Sequence, residues 1–156
     1  MAPSRRPSRI LFSIALVVLA LDALSKAQVE SRIPEGESVR LIPGVLYLTH
    51  TTNTGGAFGL STGTPWLFGL VSLAVAIFII WNARRVTSGG NAVALGLILG
   101  GAVGNLMDRL SGGIDLSGKV VDFIDFRIWP VFNVADSAVV IGAVMLALSY
   151  AKRESS

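Results

Sequence analysis

The chain contains no cysteine and a single histidine, His50. The first absence excludes disulfides, thiol nucleophiles and thiolate metal sites. The second leaves too few imidazoles for a His-rich zinc site and obliges any Ser-His-Asp arrangement to use His50, so both are set aside. Charge is scarce too: 15% of residues are charged, against roughly 25% in a soluble domain. No basic stripe interleaved with aromatics is present, which excludes nucleic acid as a partner, and no repeat or low-complexity segment breaks the pattern. What the sequence has instead is apolar length. Hydrophobic residues make up 52% of the 156 positions. They gather in four runs, about 10–27, 65–82, 92–107 and 133–151, each near the roughly 20 residues a helix needs to cross a bilayer core. The fold class expected is an all-α membrane protein with four transmembrane helices, forming a single integral membrane domain over 1–156.

Orientation follows from Lys and Arg, which accumulate in short cytoplasmic loops. The clusters Arg5/Arg6/Arg9, Arg84/Arg85 and Lys152/Arg153 fall on one side of a four-span chain, with both termini. That side is assigned to the cytoplasm. Apart from Glu154, the acidic residues lie at or beyond the opposite ends of the spans, which puts the chemistry on the outer face. The first run, with arginines before it and Ser25-Lys26-Ala27 after it, also resembles a cleaved signal peptide. Asp22 interrupts it where such a segment stays uncharged, and the helix is therefore expected to be retained.

Residues 29–64 read as a small extracytoplasmic insert. Val45, Tyr47 and Thr49 alternate with Leu46, Leu48 and His50, a period of two that predicts a strand within Leu41–Thr52, with Pro43-Gly44 as the turn before it. Gly55-Gly56 and the run Gly59–Pro65 predict a loop back to the membrane. Between the third and fourth spans, Phe123, Phe126, Trp129 and Phe132 predict a loop lying on the membrane surface, because aromatic rings favour the headgroup level. In the third span Gly96, Gly100 and Gly104 recur every four residues and predict close helix packing along a face that ends at Asp108.

An ionisable residue at membrane depth needs a partner or a task. Asp22 and Lys26, at i and i+4, can neutralise each other, which explains both structurally. A Ser25-Lys26 dyad is poorly arranged, since helix neighbours point about 100° apart. Asn133 and Asp136 share a helix face and suit an N-cap and its third residue. Asp122 sits in the apolar stretch Val120–Asp125. Two carboxylates brought together cannot easily both ionise, so one can hold a proton while the other activates water. From these residues alone three readings stay open: a hydrolytic carboxylate pair, a small ion or proton transporter, and structural packing.

The blocks Asp22-Ala23-Leu24-Ser25-Lys26, Asn53-Thr54-Gly55-Gly56-Ala57-Phe58, Gly104-Asn105-Leu106-Met107-Asp108-Arg109, Val120-Val121-Asp122-Phe123 and Phe132-Asn133-Val134-Ala135-Asp136-Ser137 resemble lipoprotein signal peptidase, also called signal peptidase II. They run through nearly the whole chain in order. The resemblance implies an aspartyl endopeptidase of the bacterial inner membrane that cuts diacylglyceryl-modified prolipoproteins just before the lipidated cysteine. It implies no metal or other cofactor, a monomer in contact with membrane lipid, and an active site at the outer face. Carried over by motif, Asp122 and Asp136 are the catalytic pair. Asn53, Asn105, Arg109 and Asn133 position the pair or the substrate; Asp22 and Lys26 support the site from the first helix, Gly104 belongs to the same site, and Asp108 pairs with a nearby basic group. One departure stands out. The spacer Leu110–Lys119 is longer than the family's and introduces Asp115, which lacks the Val-Val and Phe that flank Asp122.

Overall fold

The computed structural model describes residues 6–54 and 64–154. Arg5 of the first basic cluster, the loop expected at Gly55-Gly56 and most of Gly59–Pro65 lie outside the described residues. The elements are α1 (Arg6–Arg32), β1 (Ser38–Ile42), β2 (Leu46–Asn53), α2 (Pro65–Asn82), a 3-10 turn at Ala83–Arg85, α3 (Gly89–Ser111), β3 (Val120–Asp125) and α4 (Val134–Glu154). All four α-helices are long and apolar enough to cross a membrane. Their outward faces carry exposed large side chains such as Leu16, Leu24, Phe78 and Leu148, an arrangement that suits hydrocarbon as the surrounding solvent.

The glycine stripe packs as its spacing predicts. A Cβ at Gly96 or Gly100 would sit 2.6 or 2.7 Å from the carbonyl oxygens of Leu11 and Ala15. Matching ascending pairs mean that α1 and α3 run parallel, with backbones closer than any side chain permits. On another face of α3, Gly101 meets Ala135, and Gly142 of α4 meets Ala94, so α3 and α4 are antiparallel. Arg9, the Arg84–Arg85 turn and Lys152 consequently gather at one end of the bundle, and the sheet forms at the other.

The sheet is antiparallel in the order β1-β2-β3. Pro43-Gly44 turns β1 into β2, with Gly44 at φ 74°, a backbone that glycine adopts at no steric cost. The strand expected after that turn is β2, and β1, before the turn, completes a hairpin with it. A larger difference concerns Val120–Asp125, expected as a surface loop and found as β3, paired to β2. Five of its six residues are buried. A strand covered on both faces loses its polar-apolar alternation and reads as a short apolar run. Val29 of α1 and Ile33 just beyond its end pack against Phe123, which seats the sheet on the end of the bundle.

The long spacer also has a fold. Leu116 is held at φ 59°, a left-handed conformation that costs a leucine about 1–2 kcal/mol. Its side chain fills the notch at Gly69 of α2, where a Cβ would lie 2.8 Å from Leu116 Cβ. Beside this notch the Arg109 guanidinium lies 5.6 Å from the ring centroid of Phe68, the residue before Gly69. Burial of Leu116 and this cation–π contact together hold the sheet end of α2 against the rest of the molecule.

Candidate active site

Two groups of aspartates form where α1, α3 and α4 meet the sheet. The first is built around a cation. Lys26 Nζ lies 2.6 Å from Asp22 Oδ2 and 2.7 Å from Asp108 Oδ2. The i, i+4 pair expected on α1 is therefore present, and Asp108 is its third member, supplied by α3. Asp22 Oδ1 accepts from the Ala135 amide at 2.9 Å, filling one of the donors that the first turn of a helix leaves without an internal partner. Asp108 Oδ2 also accepts from the Val121 amide at 3.4 Å. Gly104 makes room for this cluster, since a Cβ there would come within 2.7 Å of Asp22 Oδ2. Ser25 takes no part: its hydroxyl donates to the Asp22 carbonyl at 2.9 Å.

The second group has amides where the first has a cation. Asp122 comes from β3 and Asp136 from the first turn of α4. Strand register brings Asn53 to Asp122. Asn53 pairs with Val120 and Thr51 with Asp122, which makes Asn53 and Asp122 diagonal neighbours on one face, and Asn53 Nδ2 donates to Asp122 Oδ2 at 3.2 Å. After β3 the chain doubles back: the Ile124 amide donates to the Phe132 carbonyl at 2.8 Å and the Phe132 amide to the Ile124 carbonyl at 3.2 Å. That return sets Asn133, fully buried, beside both carboxylates. Its Nδ2 donates to Asp122 Oδ1 at 2.7 Å, its Oδ1 accepts from the Asp136 amide at 2.8 Å, and its own amide donates to Asp136 Oδ2 at 3.3 Å. The expected N-cap and N3 pairing is real, and the same asparagine reaches across to Asp122.

Asn105 connects the two groups. Its Oδ1 accepts from Lys26 Nζ at 3.3 Å and from Asn133 Nδ2 at 3.2 Å. A lysine ammonium can only donate, so the amide is fixed with Nδ2 toward Asp136 Oδ1, at 2.7 Å. The helical period explains the division of labour on α3: Gly104 and Asp108 face α1, while Asn105 and Arg109 occupy the adjacent face.

A cavity of about 370 Å³ is lined by Asp122, Asp136, Asn53, Asn105 and Arg109, with Phe68 and Ser72 from α2 and Trp129–Phe132 from the return loop. A second, apolar cavity of about 290 Å³ adjoins it at Asp136 and is walled by α2, α3 and α4. Burial first, and the neighbouring Asp136 charge second, raise the Asp122 carboxyl to about 7, against the lowering effect of the Asn53 and Asn133 hydrogen bonds. A carboxyl near 7 gives and takes protons at neutral pH.

Of the residues expected at the site, Asp122, Asp136, Asn53, Asn105 and Arg109 line one cavity, and Asn133, buried behind it, bonds to both carboxylates. Arg109 lines it while donating to the Gly118 carbonyl at 3.4 Å. Asp22, Lys26, Gly104 and Asp108 stand behind the cavity and reach it through Asn105 and the Ala135 amide. Asp115 lies apart on an exposed turn, bonded to the Ser117 hydroxyl at 2.9 Å. His50 is buried, its Nδ1 donating to the Ile33 carbonyl at 2.6 Å. Sequence reasoning missed the α2 wall. The available signal was Ser72, the single polar side chain between Leu67 and Ile80.

The family model described as Signal peptidase (SPase) II matches residues 14–152. Among curated relatives, the lipoprotein signal peptidase of Mycobacterium leprae is 45% identical over 149 residues, which cover 95% of this chain and 74% of that protein. That of Mycobacterium avium is 44% identical, covering 94% and 83%. That of Halothermothrix orenii is 42% identical, covering 89% and 93%. A solved bacterial membrane enzyme, determined by the in meso method, superposes with a TM-score of 0.83 at 30% identity, covering 93% of this chain and 89% of that one.

Proposed function

The chain belongs to the signal peptidase II family, and on that premise we propose that it is an aspartyl endopeptidase that removes signal peptides from diacylglyceryl-modified prolipoproteins, with Asp122 and Asp136 as the catalytic pair. The membership leaves the ion-transporter reading without support. A single observation carries the proposal. Two carboxylates from different elements line one cavity, each held by asparagine amides rather than by a cation.

The chemistry follows from one shared proton. The ionised member of the pair takes a proton from water, whose oxygen attacks the scissile carbonyl, while the protonated member donates to the carbonyl oxygen. Collapse of the tetrahedral intermediate breaks the C–N bond and returns a proton to the leaving amine. Asp122, with its carboxyl near 7, suits the proton-holding role in the resting enzyme. Asn53, Asn105 and Asn133 fix carboxylate direction; Arg109, inside the cavity, is placed to meet substrate backbone or leaving group. The apolar walls accept a lipidated substrate whose acyl chains stay in the bilayer.

In this reading the four helices form one integral membrane domain, a monomer embedded in lipid. The Arg9, Arg84–Arg85 and Lys152 end faces the cytoplasm and the sheet lies outside the bacterial inner membrane. Exposed Ile128 and Trp129 beside the cavity suit the headgroup level. Because the natural chain lacks cysteine, single-cysteine labelling tests sidedness directly. An impermeant maleimide should modify Ser38→Cys and spare Ser88→Cys in intact cells, and the reverse pattern inverts the topology.

The deciding assay incubates the purified, detergent-solubilised protein with a diacylglyceryl-modified prolipoprotein and with its unlipidated form. Cleavage of the lipidated substrate alone is expected. A folded protein that cleaves neither removes the peptidase reading.

A further inference from the structure

The site as described has a well-furnished side, where α3, α4 and β3 supply amides and carboxylates, and an apolar side, α2. One polar group interrupts that second side. Ser72 lies one turn from Phe68 along α2 and lines both cavities, the one containing Asp122 and Asp136 and the apolar one that adjoins it. Helix serines ordinarily return their hydroxyl to the carbonyl three or four residues back. Ser25, Ser111 and Ser137 do so here, donating to Asp22, Asp108 and Asn133 at 2.9, 2.6 and 2.9 Å. Ser72 makes no hydrogen bond among the described residues, and it is not enclosed, since no buried side-chain polar atom lacks a partner. Its hydroxyl is therefore left open at the junction of the two cavities.

The substrate explains why a hydroxyl belongs there. An apolar signal segment crosses lipid as a helix, because only a helix satisfies its own backbone groups in hydrocarbon. Val71, Val75, Ile98, Val139 and Val140 of the second cavity offer such a segment an apolar bed. Hydrolysis at Asp122 and Asp136 needs the scissile bond extended and open to water, so the segment must unwind as it passes from one cavity to the other. Each unwound residue loses an internal hydrogen bond where little water can replace it. On the α3 and α4 side Asn105 can answer. On the α2 side Ser72 is the group available.

Resting on the peptidase reading above, we propose that Ser72 is a substrate-binding residue whose hydroxyl donates to a backbone carbonyl of the signal segment, on the signal side of the scissile bond, at the point where that segment unwinds. Arg109 over Phe68 and Leu116 in the Gly69 notch then acquire a purpose, since they fix the depth at which Ser72 meets the substrate.

Threonine and valine have nearly the same shape and differ in the hydroxyl, so the test compares Ser72→Thr with Ser72→Val, with Ser72→Ala as a check against overpacking. With lipidated prolipoprotein as substrate, kcat/KM of the Thr variant should exceed that of the Val variant by about 2- to 13-fold, the worth of one net hydrogen bond. The pH profile should be the same in both, because the carboxylates are untouched. A second arm uses synthetic lipidated substrates with one backbone ester, a poorer acceptor, at successive positions before the cleavage site. One position should slow the wild type and leave Ser72→Val unaffected, the mark of direct coupling. Equal rates for folded Thr and Val variants, or ester effects that ignore residue 72, would overturn the assignment while wild-type cleavage still upheld the peptidase. Absence of wild-type cleavage removes both.

Discussion

The two aspartate groups lie side by side and differ in one respect. Asp22 and Asp108 share the Lys26 ammonium at 2.6 and 2.7 Å, whereas Asp122 and Asp136 are met by Asn53, Asn105 and Asn133. An ammonium answers a carboxylate with a full opposite charge. An amide orients a carboxylate and leaves the proton free to come and go. The same residue type is thus given a cation in one place and amides in the next, and the proposed function assigns support to the first group and chemistry to the second. The lesson is that the partner assigns the role, not burial alone.

That contrast breaks most sharply at the reactive pair. Asp122→Asn or Asp136→Asn should cut kcat by roughly 10^2- to 10^4-fold, the range general acid–base catalysis supplies, with thermal unfolding above pH 7 as in the wild type. Retained turnover in either variant would move the chemistry elsewhere. Lys26→Met should do the opposite. It strands the buried Asp22 and the partly buried Asp108, and removing one partner of a buried ion pair costs about 3–5 kcal/mol, visible as a lowered unfolding midpoint in detergent. Lost turnover at undiminished stability would show instead that Lys26 serves the reaction.

Asn105 belongs to both groups, and Asn105→Leu sharpens the boundary between them. Loss of a hydrogen bond to a charged group is worth about 1.5–3 kcal/mol, so kcat should fall about 10- to 100-fold with only a small change in unfolding midpoint. The mildest test is pH. Turnover should decline above pH 7 as the shared proton is lost, approaching tenfold per unit. Stability carries the same signature. The Asp122 carboxyl lies near 7 in the folded protein, above its ordinary 3.8, so the folded state holds the proton more tightly. Stability from this group is full below the ordinary value, diminishes as pH rises, and is lost near 7. Unfolding midpoints between pH 4 and 8 should show that decline in the wild type and lack it in Asp122→Asn.

Much of the architecture was legible in the residues. Four apolar runs predicted four helices, the glycine spacing of 96, 100 and 104 predicted the approach of α1 to α3, and Asn133 with Asp136 predicted a capped α4. These are local periodicities, and a helix repeats them wherever it packs. Asp22 with Lys26 was legible for the same reason. The strand at Val120–Asp125 was not, because a run buried on both faces has no alternation to reveal it. The resemblance gave Asp108 a basic partner without naming it, and packing alone identifies Lys26, since the two are distant in sequence.

By composition and order the sequence determined the membrane solvent, the number and length of the helices, the set of polar residues that lipid would not tolerate without partners, and the family. Tertiary structure added Asp108 to the local Asp22–Lys26 pair, carried Asn53 and Asn133 to Asp122, and set Asn105 against Asp136. The physical reason is range. Helix periodicity and capping act within about four residues. The pairing of β3 with β2, the doubling back at Phe132 and the parallel seating of α1 on α3 join residues remote in the chain, and those junctions set the partners of each carboxylate.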